Sequence, residues 1–173
     1  MSSQGKTRKG RGKDAFCVFF GSAFGLGLFP VAPGSFGALA GVVVHVGVVL
    51  LAPRYLQQSL LVASFLVVCL IHFLLTPWAQ QYWKDSDPKN FVLDEVAGYL
   101  LVPILFPGHT LWKVALLGFF LFRILDIIKF PPAHQIDRDM HGAWGILLDD
   151  LVSSVYAAGC LYLLLRFTNV FAN

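Results

Sequence analysis

SLLVASFLVVCLIHFLLT, residues 59–76, runs for eighteen residues without a charged side chain. At 1.5 Å per residue, a helix of this length reaches roughly 27 Å, close to the thickness of the hydrocarbon core of a bilayer. The rest of the chain has the same character, since 57% of its 173 residues are hydrophobic and only 13% are charged. The sequence therefore predicts an all-α, polytopic membrane protein and excludes an ordinary soluble domain.

Other apolar segments extend this prediction along the chain. Residues 36–52, 111–128 and 146–167 are long enough to cross a bilayer. Residues 91–106 are weaker, because sixteen residues reach only about 24 Å and two of them are acidic. We therefore expect a transmembrane helical bundle with four to five membrane helices. The glycine-rich residues 15–29 are expected to be interfacial or re-entrant, since a full crossing would move the N-terminus to the other side.

The charged residues predict the orientation. Five of the thirteen basic residues lie within the first thirteen positions, which predicts a disordered, basic cytoplasmic tail over residues 1–14 and a single membrane-embedded domain over 15–173. If the tail is cytoplasmic, all ten carboxylates lie on the cytoplasmic face of the membrane. Only the basic residues were used to predict this orientation. The tail is expected to be attracted to anionic lipid and not to nucleic acid. The three cysteines are isolated and support neither a disulfide framework nor a cysteine zinc site.

Two adjacent acids, Asp94 and Glu95, begin the apolar segment FVLDEVAGYL at residues 91–100. Either one could cap a helix N-terminus. One cap does not need two acids at membrane depth, where carboxylates are costly. We interpret the pair as functional, with one carboxylate binding a metal ion and the other assisting it or acting as a general base.

A second group lies in FRILDIIK at residues 122–129, where Arg123, Asp126 and Lys129 recur at three-residue spacing. This spacing places them on one helical face at the cytoplasmic end. Asp126 is predicted to be functional. For Arg123 two interpretations stay open, an ion pair at the membrane interface and a contact with substrate.

The third group lies in IDRDMHGAWGILLDD at residues 136–150. Asp137 and Arg138 precede Gly142, where the backbone could approach a bound anion, and the next helix is expected to open with Asp149 and Asp150. Carboxylate oxygens are the ligands that Mg²⁺ or Mn²⁺ prefers, whereas lysine and arginine bind phosphate oxygens. The combination indicates metal-assisted phosphoryl chemistry.

These motifs, together with PVAPGSFG at residues 30–37, resemble the phosphatidylglycerophosphatase A family, in the same order and over nearly all of the chain after the tail. The resemblance implies a small, Mg²⁺-dependent enzyme of the bacterial inner membrane. Such an enzyme removes the terminal phosphate of phosphatidylglycerophosphate and leaves phosphatidylglycerol. The chain departs from the family pattern at Ser35, Phe130 and Ala143, and the last two affect the path of a loop.

The resemblance also implies a set of site residues. The family's acidic positions fall on Asp94, Glu95, Asp126, Asp137, Asp149 and Asp150, and its basic positions fall on Lys129 and Arg138. Of these, the expected metal ligands are Asp94, Glu95, Asp126, Asp149 and Asp150. The expected substrate contacts are Lys129, Arg138, Arg123, Ser35 and Gly142, although Ser35 could equally be a helix cap. Water is expected to attack phosphorus with Asp126 or Glu95 as the base, and an aspartyl nucleophile stays open.

Two other classes of function compete with this hypothesis. A divalent-cation transporter or a non-catalytic membrane subunit would carry acidic groups at mid-membrane and on both faces. The predicted topology has no acidic groups at these places. A CDP-alcohol phosphotransferase would also use acids and a divalent metal, but its closely spaced Asp-Gly and Ala-Arg signature is missing. The sequence leaves the number of metal ions and the oligomeric state open.

Overall fold

The structure, a computed structural model, describes residues 8–107 and 111–170, with side chains over 11–107 and 111–167. These residues form helices joined by short turns, and no strand occurs among them, which confirms the all-α prediction. The helices are α1 (Arg8–Gly21), a short 3₁₀ turn (Leu26–Leu28), α2 (Pro33–Leu51), α3 (Arg54–Trp83), α4 (Leu93–Leu105), α5 (Leu111–Ile128), α6 (Ala133–Asp139) and α7 (Gly142–Val170).

Three of the described helices are long and apolar enough to cross a membrane. They are α2, α3 and the Gly142–Phe167 part of α7. By the same measure α4 is too short, because its 13 residues reach only about 20 Å. The 18 residues of α5 include Lys113, Arg123 and Asp126, which lower its apolar character. Association with a membrane is therefore supported by three helices.

The central element of the bundle is α4, which packs against α2, α3, α5 and α7. Nine of its residues are buried, including Tyr99 and Leu100, which are fully covered. Gly98 permits the closest approach, since a Cβ atom there would lie 2.6 Å from the ring of Phe122 on α5. Because longer helices surround α4, its acidic first turn is enclosed by the bundle instead of facing water.

The N-terminal segment differs from the prediction. Residues 8–14 are helical, contrary to the predicted disorder, whereas residues 1–7 lie outside the described residues. The helix is fixed to α3, because Trp78 Nε1 donates a hydrogen bond of 3.2 Å to Asp14 and the side chain of Cys17 is buried. Contacts of this kind offset the conformational entropy that a free tail would retain.

The sequence also predicts two long polar connections, over residues 77–90 and 129–145, and both are shorter in the structure. Helix α3 continues through Pro77 to Trp83, within the expected loop of residues 77–90, and ends where Lys84 adopts a left-handed conformation with φ +56°. The rings of Trp78 and Trp83 pack against Tyr82, and these contacts favour continuation of the helix beyond the proline. The second expected loop, residues 129–145, contains α6.

Candidate active site

A cavity of about 390 Å³ opens where α2 and α4 begin and α5 ends, beside α7 about two turns from its start. We call it the acidic cavity. Six carboxylates line it, against three basic side chains, so its formal charge is 3 − 6 = −3. The acids are Asp87, Asp94, Glu95, Asp126, Asp149 and Asp150, and the bases are Lys89, Arg123 and Lys129.

The closest group of acids joins α4 to α7. Oxygen atoms of Asp94, Glu95 and Asp150 all lie within 4.8 Å of one another. Asp94 and Asp150 are buried, with exposed fractions of 7% and 4%. The predicted pair therefore gains a third carboxylate from more than fifty residues along the chain, and the three together can share one cation.

Asp149 and Asp150 do not open their helix, so that part of the prediction was wrong. Helix α7 begins at Gly142, whose φ of +75° suits glycine, and has no acid in its first turn. The start is held by the ring of His72 on α3, whose Nε2 lies 2.9 Å from the carbonyl oxygen of Ala143. This earlier start places both aspartates about two turns into the helix, where α7 already packs against α4.

Arg123 and Lys129 form ion pairs with different acidic residues. Arg123 Nη1 lies 2.5 Å from Asp126 Oδ2, as the three-residue spacing predicts. Lys129 does not continue this ladder, because α5 ends at Ile128 and the lysine backbone turns at φ +49°. Its ammonium group instead contacts Asp137 at 2.7 Å and Asp149 at 2.6 Å. Burial lowers the pKa of Lys129, but these two hydrogen bonds outweigh burial and raise the pKa above its ordinary value.

Several polar atoms of the acidic cavity are buried without a hydrogen-bond partner among the described residues. Four are carboxylate oxygens: Asp94 Oδ1, Glu95 Oε2, Asp149 Oδ1 and Asp150 Oδ2. Buried carboxylates of this kind are costly unless a cation or a donor satisfies them. Oxygen ligands with an excess of negative charge are what a hard divalent cation prefers. The residues present therefore fit Mg²⁺.

Comparisons with known proteins identify the family of the chain. The family model described as Phosphatidylglycerophosphatase A matches residues 19–165, a range that contains every residue of the acidic cavity. The chain belongs to the phosphatidylglycerophosphatase A family. Two relatives of that name come from Escherichia coli (strain K12) and Haemophilus influenzae. The first is 34% identical over 80% of this chain and 77% of its own length, and the second 36% identical over 78% and 79%.

A third relative, from Bacteroides thetaiotaomicron, carries the provisional name phosphatidylinositol-3-phosphatase. It is 31% identical over 81% of this chain and 87% of its own length. No solved structure matches the chain. Membership of the phosphatidylglycerophosphatase A family therefore rests on sequence, and the arrangement of the acids rests on the structure described here.

Not every residue implied by the family resemblance lies in the acidic cavity. Arg138 is exposed on α6 and pairs with its neighbour Asp139 at 2.7 Å. Gly142 lines a smaller adjoining cavity of about 50 Å³, together with Asp137. Asp137 reaches the acidic cavity only through Lys129. The structure thus separates Arg138 and Gly142 from the other predicted residues of the phosphatidylglycerophosphatase A site.

Ser35 does line the acidic cavity, on the first turn of α2. It is not the helix cap, because the cap position belongs to Ala32 and no side-chain hydrogen bond caps the helix. Its backbone N–H donates to the carbonyl oxygen of Ala32 at 3.0 Å. Of the two interpretations left open by the sequence, contact with substrate is the one that this position allows.

Three cavity residues were missed by the sequence analysis. Asp87 and Lys89 are exposed on the connection before α4 and lie at the edge of the cavity. Both residues precede Asp94 closely in the sequence, which could have identified them. The sequence of a polar connection does not, however, indicate which of its side chains lie near the cavity. Gly34 appeared in the sequence only as part of the motif PVAPGSFG at residues 30–37. A Cβ atom there would collide with the carboxylate of Glu95 and come within 2.9 Å of Arg123 Nη2.

Proposed function

We propose that this chain hydrolyses the terminal phosphate of phosphatidylglycerophosphate, with Mg²⁺ bound in the acidic cavity, and leaves phosphatidylglycerol. The observation that carries the proposal is the group of Asp94, Glu95 and Asp150, whose oxygens lie within 4.8 Å of one another beside Arg123 and Lys129. Family membership supports the class of reaction, and the names of the E. coli and H. influenzae relatives support the substrate.

Asp94, Glu95 and Asp150 would hold the cation, with Asp149 and Asp126 beside them. When bound, Mg²⁺ would draw electron density from a phosphate oxygen and so stabilise the negative charge that develops during transfer. Because carboxylates outnumber cations in the cavity, a phosphomonoester dianion would be repelled without this added positive charge.

The basic side chains would orient the phosphate. Arg123 donates from Nη1 to Asp126, and its buried Nε has no partner among the described residues. A guanidinium with one committed edge can still donate to a phosphate oxygen from the other. Lys129 is fixed by Asp137 and Asp149, remains protonated, and would add charge without moving.

Hydrolysis also needs a base for the attacking water. Asp126 is neutralised by Arg123, which makes it a weak base, whereas Glu95 Oε2 is buried without a partner. We therefore favour Glu95, which would contact the cation through one carboxylate oxygen and leave the other to accept a proton from the water. Its carboxylate would accept a proton as the water oxygen bonds to phosphorus. The phosphorus–ester oxygen bond then breaks, and the leaving lipid alkoxide takes up the proton that Glu95 holds.

We also propose that the acidic cavity faces the cytoplasm of a bacterial inner membrane. The excess of basic residues on the side of the N-terminus supports this orientation. Four to five crossings would include α5 and, by thinning of the bilayer, α4. The segment from α1 to α2 would lie at the interface, because Phe16, Phe24 and Val31 are exposed there.

One assay tests the activity and the cofactor together. The protein is purified in detergent, and phosphate release is measured from phosphatidylglycerophosphate, phosphatidic acid, phosphatidylinositol 3-phosphate and glycerol phosphate, with EDTA and after Mg²⁺ is restored. Release from the first lipid alone, lost with EDTA and recovered with Mg²⁺, is the expected result. Preference for phosphatidylinositol 3-phosphate would assign the substrate of the Bacteroides relative instead. Metal uptake into liposomes without any phosphatase activity would favour a transporter.

A further inference from the structure

A second cavity, of about 330 Å³, lies at the opposite end of the same helices. We call it the far cavity. It is bounded by the end of α2, the start of α3, the end of α4 and the start of α5. Between Ser35 and Val49 the rise along α2 is about 21 Å. Since α2 is a candidate membrane span, the two cavities lie near opposite faces of the membrane.

The charge of the far cavity is opposite to that of the acidic cavity. Arg54, at the start of α3, is the charged side chain that lines it. All ten carboxylates of the chain lie in parts that the structure describes, and none of them pairs with Arg54 or lines this cavity. A guanidinium that has no acidic partner among the described residues, at the mouth of a polar cavity, favours an anionic ligand.

The floor of the far cavity adds a buried polar group. His45 has an exposed fraction of 4%, and its Nδ1 lies 2.9 Å from the hydroxyl oxygen of Tyr99. If the hydroxyl donates to Nδ1, the hydrogen of the neutral ring is on Nε2, which then becomes a donor. In that tautomer, Arg54 and His45 offer donors from the mouth and the floor of one cavity.

Two glutamines on its wall offer acceptors. Gln57 Nε2 donates to the carbonyl oxygens of Val49 and Ala52, at 2.9 and 3.1 Å, and Gln58 Nε2 donates to the carbonyl oxygen of Ile104 at 3.0 Å. These bonds satisfy carbonyl groups at the ends of α2 and α4, and they occupy the amide nitrogens of both glutamines. Among the residues that the structure describes, nothing donates to the amide oxygens, which can therefore accept from hydroxyl groups.

We propose that the far cavity binds the headgroup of an anionic phospholipid from the leaflet opposite the acidic cavity. The phosphodiester would lie against Arg54 and the hydroxyl groups of the headgroup against Gln57 and Gln58. Phosphatidylglycerol has this combination of one negative charge and two headgroup hydroxyls. The neighbouring side chains Leu50, Leu51 and Tyr55 are exposed, so the acyl chains would remain in the bilayer. This site is independent of the proposed hydrolysis.

Native mass spectrometry in detergent tests the proposal by counting the lipids that stay bound. The probes are phosphatidylglycerol, zwitterionic phosphatidylcholine and free glycerol 3-phosphate. Arg54→Gln is expected to weaken retention of phosphatidylglycerol about tenfold, which is the usual effect of losing one charge-assisted hydrogen bond. Retention of phosphatidylcholine should stay the same. Arg54→Lys, which keeps the charge, should retain most of the binding.

Lys113→Gln is the matched control, because Lys113 carries the same charge at the start of α5 but does not line the far cavity. Its retention of phosphatidylglycerol should equal that of the wild type. Equal retention by Arg54→Gln and Lys113→Gln would overturn the proposal, provided that both elute and melt as the wild type does. Displacement of the lipid by glycerol 3-phosphate at matched concentration would overturn the assignment to a membrane lipid and indicate a soluble phosphate ester.

Discussion

The ammonium group of Lys129 lies 2.6 Å from Asp149 Oδ2, and this ion pair joins the residue after α5 to a point about two turns into α7. The same ammonium also contacts Asp137 on α6. One side chain therefore fixes three elements around the acidic cavity. A positive charge held in this way can orient a phosphate group without paying for the ordering of a free lysine.

Replacement of Lys129 should affect both turnover and stability. Lys129→Gln removes the charge and leaves the buried Asp149 without its cation, so we expect kcat/KM to fall at least about a hundredfold, with a lower melting temperature. Lys89→Gln, at the exposed edge of the cavity, should change turnover by less than about tenfold. Comparable losses in the two variants would contradict the special role of Lys129.

The stabilising effect of Lys129 should depend on pH in a defined direction. Because its pKa in the folded protein is raised, the charged lysine contributes stability below the ordinary lysine pKa, about 10.4, and loses it as pH rises through the folded value. The difference in melting temperature between wild type and Lys129→Gln should therefore be constant from about pH 7 to 9. A difference that disappears within this range would show that the ion pair is weaker than its geometry indicates.

Gly34 should tolerate no side chain. A methyl group there would collide with Glu95 and crowd Arg123, so Gly34→Ala should displace both groups and abolish most phosphate release. Gly47→Ala is the control on the same helix, because a Cβ atom at Gly47 meets nothing within 4 Å. That variant should keep full activity and gain about 0.5–1 kcal/mol of stability from the better helix former. An active Gly34→Ala variant would mean that Glu95 can move without loss.

Asp150 should be needed for metal binding as well as for turnover. Asp150→Asn removes one of the three clustered carboxylates, and we expect Mn²⁺ binding, measured by electron paramagnetic resonance, to weaken at least about tenfold. Asp139→Asn is the control, because Asp139 is exposed on α6 and pairs with Arg138 outside the cavity. If both variants bind Mn²⁺ as the wild type does, the cluster is not the metal site.

The two arginines of the motifs should behave differently. Arg123 lies in the acidic cavity and Arg138 does not, so Arg123→Gln should raise KM and lower kcat, whereas Arg138→Gln should change either by less than about threefold. Steady-state kinetics on the lipid substrate measures both. A large loss in Arg138→Gln alone would show that α6 moves toward the cavity when substrate binds.

Much of the fold could be predicted because its signals are local. Length, apolar composition and the positions of proline and glycine predicted five of the helices near their observed places. The prediction was wrong where packing decided the outcome. Helix α3 continues through Pro77 because the aromatic side chains after it pack together, and residues 8–14 are helical because α1 is anchored on α3.

The site could be predicted as a set of residues but not as an arrangement. The sequence identified five carboxylates that line the cavity, together with Lys129, since charge at the ends of apolar segments is costly and therefore informative. It also proposed Asp137, Arg138 and Gly142, which do not line the cavity. It missed Asp87, Lys89 and Gly34. In each case, membership of the cavity depended on the distance between residues that are far apart in the sequence or on different elements.

The sequence by itself determined that the chain is helical, belongs in a membrane and gathers its acids at one end of its apolar segments. Those properties follow from hydrophobicity and charge, which each residue carries regardless of its neighbours. Only the tertiary structure decided that Asp94, Glu95 and Asp150 share one space, that Lys129 turns away from Asp126, and that Arg54 lines a second cavity at the opposite end. These outcomes depend on how the helices pack around α4, because packing brings together side chains that the chain itself keeps far apart.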